Sequence, residues 1–387
     1  MKMKIAPASA PSERSDWTLV ALVFVTGLFA AAQFGKISLT LAPLAELYGT
    51  DIAGVSFLVS LVGFLGIFLG VISGAVVARA GPTRVFIWSA GIAAIISILQ
   101  ALLPPFASMI VLRLLEGLTH LGIVVAGPTL MAAVTNDRDR PIAMSLWAMF
   151  FGASFAAVAL VVPPLMQAGG VGLVFSAHGL GFAVICAVLI WRLPVVSATP
   201  GKIAFWGTHV AIYSSPPVMA PALAFGAYTF IYLAIITFFP VTLERPELFQ
   251  IIPLISLVAT FTTGWVARRV APYTLAAVGY VWIILAGLVV WSGAGWMIYL
   301  LAFGLGIVPA ACFAAIPSLN PSASDRSRAA GALSQMGNIG TTLGTPVFAF
   351  TMLSAGMSGL WVVIMGACAV GLGLIYWMTA KIVAPQN

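Results

Sequence analysis

Long apolar segments alternate with short polar or Pro/Gly-rich links along almost the whole chain. A segment of about 20 apolar residues is long enough to cross the hydrocarbon core of a bilayer as a helix. Twelve such segments can be recognised, at residues 17–44, 54–78, 84–103, 106–134, 141–165, 171–191, 218–242, 248–267, 273–293, 297–319, 328–353 and 359–382. The pattern therefore predicts an all-α membrane protein with twelve transmembrane helices.

The chain repeats itself after about 189 residues. Three sets of residues recur in the same order, shifted by 188 to 190 positions: Gly74, Arg79 and Pro82 as Gly264, Arg269 and Pro272; Gly117 and Pro128 as Gly306 and Pro317; and Asp137, Arg138 and Arg140 as Asp325, Arg326 and Arg328. Many secondary transporters use a parallel repeat of this kind to place a site between two halves near the bilayer midplane. Transport is therefore the first functional expectation.

The repeat and the one long link divide the chain into two halves. We expect a cytoplasmic tail at 1–16, an N-terminal six-helix bundle at 17–191, a cytoplasmic linker at 192–217, a C-terminal six-helix bundle at 218–382 and a tail at 383–387. The first tail has no cleavable signal pattern, so the first span is expected to act as its own insertion signal. The linker from Lys202 to Tyr213 is amphipathic, which predicts a helix in the membrane interface.

Composition and charge agree with a membrane protein and give it an orientation. The chain is 61% hydrophobic and 7% charged, whereas a soluble domain has about 25% charged residues. Of 17 Lys and Arg residues, Lys36 and Arg113 lie inside spans, and Arg245 alone lies on the side opposite the chain ends. The other 14 fall on the side of the chain ends: Lys2, Lys4, Arg14, Arg79, Arg84, Arg138, Arg140, Arg192, Lys202, Arg268, Arg269, Arg326, Arg328 and Lys381. Basic loops favour the cytoplasmic side, which predicts an inner-membrane protein of bacterial type with both termini in the cytoplasm. The charges are spread over many loops, so no nucleic-acid partner is expected.

Five ionisable residues lie within the spans: Lys36, Arg113, Glu116, His120 and His178. Charges inside a bilayer cost a few kcal/mol each, so they usually pair and face a cavity. Residues 113, 116, 117 and 120 follow helical spacing and share one face. Lys36 and Arg113 are expected at a similar depth, roughly 6–10 Å below the outer boundary by helical rise.

These residues suggest two tasks. Lys36 and Arg113 would bind an anionic substrate, because two cations attract an anion and Arg can hold a carboxylate through two hydrogen bonds. Glu116 and His120 would couple transport to protons, since both can titrate in such a site. Structural alternatives stay open: Arg113 and Glu116 as a neutralising pair, Lys36 reaching the outer headgroups, and His120 or His178 as packed core residues.

The C-terminal half lacks these charges, because the counterparts of Arg113, Glu116 and His120 are uncharged. Its candidate substrate contacts are neutral: Tyr228 and Tyr232 at i, i+4, and Gln335 and Asn338 at i, i+3. Packing is the alternative for the aromatic pair. The three cysteines show no metal-ligand spacing, so neither a metal nor another cofactor is expected.

Two motifs resemble signatures of the major facilitator superfamily. GAVVARAGPTR, from Gly74 to Arg84, resembles its loop signature G-x-x-x-D-R-x-G-R-[RK]. Arg113-Leu-Leu-Glu116-Gly117 resembles its fourth-helix motif R-x-x-[QE]-G. With the twelve spans and the repeat, the resemblance covers essentially the whole chain.

A narrower resemblance is to the cyanate/nitroimidazole-type group of small-solute transporters. It rests on Gly35-Lys36 with Leu41-Ala-Pro43, and on RLLEGLTHLGIVVAGP followed by DRDRPIAMSLW. By contrast, span five lacks the G-x-x-x-G-P run associated with proton-driven drug antiporters.

The superfamily resemblance implies two halves that rock about a cavity lined by the first and fourth helices of each half. Lys36, Arg113, Glu116 and His120 would line that cavity. The repeated basic loops would gate the cytoplasmic face through Arg79, Asp137, Arg138, Arg269, Asp325 and Arg326. Ala78 stands where the superfamily has the Asp of its Asp–Arg latch, so a weaker latch, or one made by Asp137, Asp139 or Asp325, is expected.

The function expected from the sequence is secondary active transport of a small organic or pseudohalide anion by alternating access, coupled to protons. The expected partners are the substrate, protons and the bilayer, and the protein is expected to be a monomer. Two alternatives stay open: a proton-driven efflux pump for drug-like molecules, and a sensor on a transporter fold. An enzyme is not expected, because the sequence contains no H-E-x-x-H, no G-x-S-x-G and no Walker A motif.

Overall fold

The computed structural model describes residues 14–50, 52–198, 205–245 and 247–383. The described chain is built from α-helices joined by short turns. The helices are α1 Trp17–Ser38, α2 Leu41–Leu47, α3 Ile52–Ala80, α4 Pro82–Ala101, α5 Phe106–Ala133, α6 Arg140–Arg192, α7 Phe205–Tyr213, α8 Pro216–Thr242, α9 Leu248–Val266, α10 Pro272–Trp291, α11 Ile298–Leu319 and α12 Ala323–Val383.

Two of these helices are longer than a bilayer needs because each reverses at a glycine. In α6 the reversal is at Gly169 and Gly170, and Gly170 has φ 65° and ψ −162°. In α12 it is at Gly356, with φ 59° and ψ −153°. Glycine adopts positive φ without a Cβ clash. Each helix therefore has two antiparallel arms, 140–168 and 171–192 in α6, and 323–355 and 357–383 in α12.

Ten helices among the described residues are long and apolar enough to cross a membrane, with α6 counted once. The second arm of α6 and the first arm of α12 add two passes, which gives the twelve that the sequence predicts. Their outward surfaces are strongly apolar; Leu160 is 79% and Leu353 is 89% exposed. Such surfaces suit lipid, and the helices satisfy their own backbone hydrogen bonds as a bilayer requires. The chain is thus an integral membrane protein.

The expected first span, 17–44, is not continuous. Helix α1 ends at Ser38 and α2 begins at Leu41. Thr40 lies in the break, where its Oγ1 donates to the Lys36 carbonyl at 2.7 Å. A side chain that hydrogen-bonds backbone in this way competes with helix continuation. Lys36 consequently lies close to the outer end of α1 rather than inside a longer helix.

Some predictions fall outside the described residues or are not tested by them. Lys2, Lys4, Lys202 and the last four residues of the chain lie outside. Of the expected interfacial helix, from Lys202 to Tyr213, the described residues form the helix α7. The boundaries of the two halves and the cytoplasmic location of the chain ends stay predictions.

The glycines of the sequence repeat occupy equivalent crossings in the two halves. A Cβ on Gly74 of α3 would lie 2.6 Å from the Ser327 carbonyl of α12, and one on Gly264 of α9 would lie 3.1 Å from the Pro141 carbonyl of α6. Both crossings join one half to the other. Small residues allow such close helix approaches in membranes, where packing replaces the hydrophobic effect.

One face of the bundle carries both described chain ends, and we call it the terminal face. It is identified by contacts of the chain ends: the Asp16 amide donates to the Val134 carbonyl at 3.0 Å, and Ile382 lines the same small cavity as Pro272 and Leu319. We call the opposite side, where α2 lies, the outer face, after the orientation that the basic loops predict.

Candidate functional site

A buried charge cluster joins α1 to α5 near the outer face. Lys36 Nζ lies 2.7 Å from Glu116 Oε1, and Arg113 Nη1 contacts Glu116 Oε2 across one helical turn. The Lys36 side chain is 1% exposed, and those of Arg113 and Glu116 are fully buried. The structure therefore brings together three of the residues that the sequence predicts for the site.

Two polar residues of α4 complete the contacts of this cluster, and sequence reasoning did not identify them. Gln100 Nε2 donates to Glu116 Oε2 at 2.8 Å, and Gln100 Oε1 accepts from Lys36 Nζ at 2.7 Å. Ser97 Oγ accepts from Lys36 Nζ at 3.0 Å. Their i, i+3 spacing in an apolar span was the available signal, because it places both on one face of α4.

His178, on the second arm of α6, also belongs to the cluster. Its Nε2 lies 3.0 Å from the Phe29 carbonyl, which can only accept, so Nε2 carries the proton. Its Nδ1 then has a lone pair, 3.3 Å from Lys36 Nζ and 3.0 Å from Ser97 Oγ. This tautomer follows from the hydrogen-bond partners. His178 Nδ1 is thus one of four acceptor atoms around the three N–H groups of the Lys36 ammonium, whereas sequence reasoning treated His178 as an isolated structural residue.

Arg113 ties the cluster to the backbone of two further helices. Its Nε donates to the Leu58 carbonyl of α3 at 2.9 Å, and its Nη1 donates to the Gln33 carbonyl of α1 at 3.0 Å. Three buried atoms of the cluster, Arg113 Nη2, Gln33 Oε1 and Glu116 Oε1, have no hydrogen-bond partner among the described residues. Of these, Glu116 Oε1 still has the Lys36 ammonium at 2.7 Å as its ion-pair partner. Gln33 Nε2 donates to Thr119 Oγ1 at 3.2 Å. The guanidinium therefore keeps unused donor capacity in a buried position.

The cluster carries more positive than negative charge. Two cations share the single carboxylate of Glu116, so its net charge is +1 with His178 neutral. Removing one ion from water costs several kcal/mol even after relaxation. The surplus charge of this cluster is therefore a source of instability that a bound anion would relieve.

An apolar layer separates the cluster from the outer face in this conformation. It is formed by Leu44 of α2, Leu58 of α3, Met109 of α5 and Phe175 of α6, all buried. Lys36 Nζ lies 5.0 Å from the centre of the Phe175 ring. The sequence predicted that these residues line a cavity between the halves, and in this conformation the structure shows Lys36, Arg113 and Glu116 enclosed.

His120 lies one turn further along α5 and has different neighbours. Its Nδ1 is 3.0 Å from the Ala30 carbonyl, and its ring packs edge-on against Phe34 at 5.0 Å. These contacts are with α1 backbone and an aromatic ring rather than with the carboxylate.

The four neutral residues predicted in the C-terminal half separate into two groups. Tyr228 and Tyr232 pack ring against ring on α8, with centroids 5.1 Å apart. Gln335 and Asn338, on the first arm of α12, lie instead at the seam with α3. Gln335 Nε2 donates to the Ile67 carbonyl at 2.6 Å. Thus this amide group bridges the two halves in the observed conformation.

The terminal face is closed by polar contacts between the halves. Arg268 Nη2 lies 3.9 Å from Asp139 Oδ1, and Arg268 Nε donates to the Arg138 carbonyl at 3.1 Å. Thr129 Oγ1 and Ser327 Oγ are 3.1 Å apart. The ion pair across the interface is thus made by the arginine before the predicted Arg269.

The other residues predicted for the gate make contacts within their own half or are exposed. Asp137 pairs with Arg140 at 2.6 Å, and Asp325 pairs with Arg328 at 3.4 Å. Arg326 Nη1 donates to the Pro321 carbonyl at 2.7 Å. Arg79 and Arg269 are exposed near the ends of α3 and α9. Among the described residues, Asp325 therefore has no ion pair with the opposite half.

Comparison with known proteins identifies relatives of this fold. A family model described as Major Facilitator Superfamily matches residues 20–345, while a comparison with curated proteins gave no match. The crystal structure of the human organic anion transporter MFSD10 (TETRAN) has a TM-score of 0.72 and 17% identity, over 92% of this chain and 98% of that one. The proton:xylose symporter XylE bound to 6-bromo-6-deoxy-D-glucose has a TM-score of 0.73 and 12% identity, over 95% of each chain. At these identities the two structures show a common fold alone, and none of these matches supports the cyanate/nitroimidazole-type group.

Proposed function

This chain belongs to the major facilitator superfamily of membrane transporters, and from that premise we propose that it moves a small organic or pseudohalide anion together with a proton. The proposed site is the cluster of Lys36, Arg113 and Glu116. The proposed mechanism is alternating access, in which the halves open the site to each side of the membrane in turn.

The observation that carries this proposal is one carboxylate shared by two buried cations. Glu116 contacts both Lys36 and Arg113, so either cation can be offered to a substrate while the other keeps the carboxylate. Arg113 Nη2 has no partner among the described residues. A guanidinium can bind a carboxylate through two parallel hydrogen bonds. An anionic substrate would use that capacity and remove the surplus charge.

The same arrangement links the anion to a proton. Protonation of Glu116 would raise the net charge of the cluster from +1 to +2. One added unit charge at about 6 Å attracts an anion by about 3 kcal/mol at an effective dielectric constant near 20. Because linkage is reciprocal, the bound anion favours protonation equally. Mutual strengthening favours movement of both in the same direction, which is symport.

Entry of the substrate requires a change from the observed conformation. The apolar layer formed by Leu44, Leu58, Met109 and Phe175 covers the cluster from the outer face. We place the outer gate at this layer, because its displacement would expose Lys36 and Arg113 to the outer solution. The closed terminal face, with its Arg268–Asp139 pair, fits a state that loads from the outer side.

The fold is compatible with both parts of the proposal. One of the two solved structures is described as an organic anion transporter and the other as a proton symporter. Cyanate, which the narrower sequence resemblance suggests, is a pseudohalide and belongs among the first anions to test.

The test is uptake of labelled cyanate, formate and benzoate by proteoliposomes under an inward proton gradient. Wild-type protein should concentrate at least one of them. Glu116→Gln should lose accumulation against a gradient and retain exchange, because the glutamine keeps the cluster in a protonated-like charge state. In the same variant, the rise in melting temperature caused by the anion should no longer depend on pH.

Glu46→Gln is the matched control, since Glu46 is an exposed carboxylate of α2 in the same half. It should transport as wild type does. Accumulation by Glu116→Gln at the wild-type level would show that Glu116 does not couple transport to protons. Preference for a cation or a neutral sugar over all three anions would refute the substrate class.

A further inference from the structure

The linker helix α7 is attached to the seam between the two halves. It packs against α3, α8 and α12, and Ile212 near its end is 2% exposed. Tyr213 is its last residue, and the Tyr213 hydroxyl donates to Gln335 Oε1 of α12 at 2.6 Å. The linker therefore does more than join the halves covalently.

Gln335 forms a hydrogen bond across the seam between α3 and α12, close to the end of α7. Its Nε2 donates to the Ile67 carbonyl of α3 at 2.6 Å, and the side chain is 5% exposed. A Cβ on Gly70 would lie 2.8 Å from Gln335 Cα, so the two helix backbones are in close contact here. As an interior residue of α3, Ile67 already has a helical partner for its carbonyl, so the Gln335 amide adds a second hydrogen bond that joins the two helices.

The orientation of the Gln335 amide decides whether that donor is present. A glutamine amide has a donor end and an acceptor end, and its hydrogen-bond network fixes which end points where. The Ile67 carbonyl can only accept, so the nitrogen end faces it, and the Tyr213 hydroxyl then donates to the oxygen end and holds the amide in this position. The flipped amide would place oxygen against the Ile67 carbonyl and lose the bridge.

We propose that Tyr213 is a positioning residue for closure of the terminal face, because it holds Gln335 in the position that bridges α3 and α12. The linker helix thereby stabilises the conformation with a closed terminal face. When the terminal face opens, α3 and α12 separate at this level and Gln335 loses the Ile67 carbonyl. This role depends on alternating access and is independent of the substrate carried by the Lys36 cluster.

Tyr213→Phe tests the proposal because it removes one hydroxyl and retains the ring. Spin labels at Arg84 and Tyr273, which are exposed on opposite halves of the terminal face, report the separation in a variant without native cysteines. Tyr213→Phe should raise the ratio of open to closed terminal face about five-fold, the equivalent of one neutral hydrogen bond of about 1 kcal/mol. Tyr376→Phe is the matched control, since Tyr376 is 79% exposed on α12 and should leave the ratio unchanged.

A double-mutant cycle separates positioning from simple packing. In a Gln335→Leu background the bridge is already absent, so adding Tyr213→Phe should shift the ratio no further. Additive shifts would show that Tyr213 acts without Gln335 and would overturn the proposal, as would a Tyr213→Phe ratio equal to that of Tyr376→Phe. If Gln335→Leu does not fold, Gln335→Met, which also lacks the amide, serves the same cycle.

Discussion

Replacing Glu116 should destabilise the protein far more than replacing Lys36, although the two form one ion pair. Glu116 is the only carboxylate in contact with Lys36 and Arg113 in the described structure, so Glu116→Gln leaves two buried cations without a counter-charge. Removing one partner of a buried pair costs about 3–5 kcal/mol. In Lys36→Met, by contrast, Glu116 keeps Arg113 and the Gln100 amide.

Lys36→Met also removes the surplus charge of the cluster. This gain offsets the cost of losing the hydrogen bonds to Ser97, Gln100 and His178. We therefore expect a loss of only about 1 kcal/mol, because the variant no longer has to keep the ammonium ion out of water, which costs several kcal/mol per ion. Lys36 carries the amine at the end of an apolar stem that methionine imitates well.

Equilibrium unfolding by SDS in mixed micelles, followed by circular dichroism, measures the difference. Glu46→Gln is the control for loss of an exposed carboxylate and should stay within about 0.5 kcal/mol of wild type. A loss in Lys36→Met as large as in Glu116→Gln would refute the argument, because it would mean that Arg113 alone does not hold the carboxylate. Wild-type stability of Glu116→Gln would show that the cations are not buried as described.

Three further predictions concern the gate and the site. Arg268→Gln breaks the ion pair between the halves and should favour an open terminal face by about 0.5–1 kcal/mol, measured by spin-label distances. Asp325→Asn breaks a pair inside one half and should leave those distances unchanged. Gly74→Ala should also open that face, because its Cβ would lie 2.9 Å from the Arg328 Cα; equal distances in Gly74→Ala and in Gly373→Ala, where the Cβ meets open space, would contradict the close crossing. Arg113→Lys keeps the charge and loses the planar fork, so it should weaken anion binding at least ten-fold in a thermal-shift titration, and unchanged affinity would exclude Arg113 as a ligand.

The buried charges were predictable individually, but their full set of partners was not. Lys36, Arg113 and Glu116 stand out in the sequence because charges are rare and expensive inside a bilayer. Gln100 and His178 do not, since a single amide or imidazole in an apolar span is compatible with many positions in the bundle. Their contacts with Lys36 depend on which face α4 and the second arm of α6 turn towards α1. In a helix that is apolar on all sides, the sequence does not mark that face.

The sequence by itself determined the class, the number of passes and the two-fold repeat, because these depend on segment length, apolar composition and recurrent glycines. Gly74 and Gly264 recur in the sequence and take equivalent places at the crossings between halves, because no Cβ fits there: the Ser327 carbonyl fills that space at Gly74 and the Ser145 side chain fills it at Gly264. Only the tertiary structure decided which polar residues meet: Arg268 with Asp139, one of the three aspartates that the sequence left open as partners, and Gln335 with Ile67 and Tyr213. Hydrogen bonds act over about 3 Å, so a shift of one residue along either helix exchanges the partners while leaving the apolar pattern of the sequence the same.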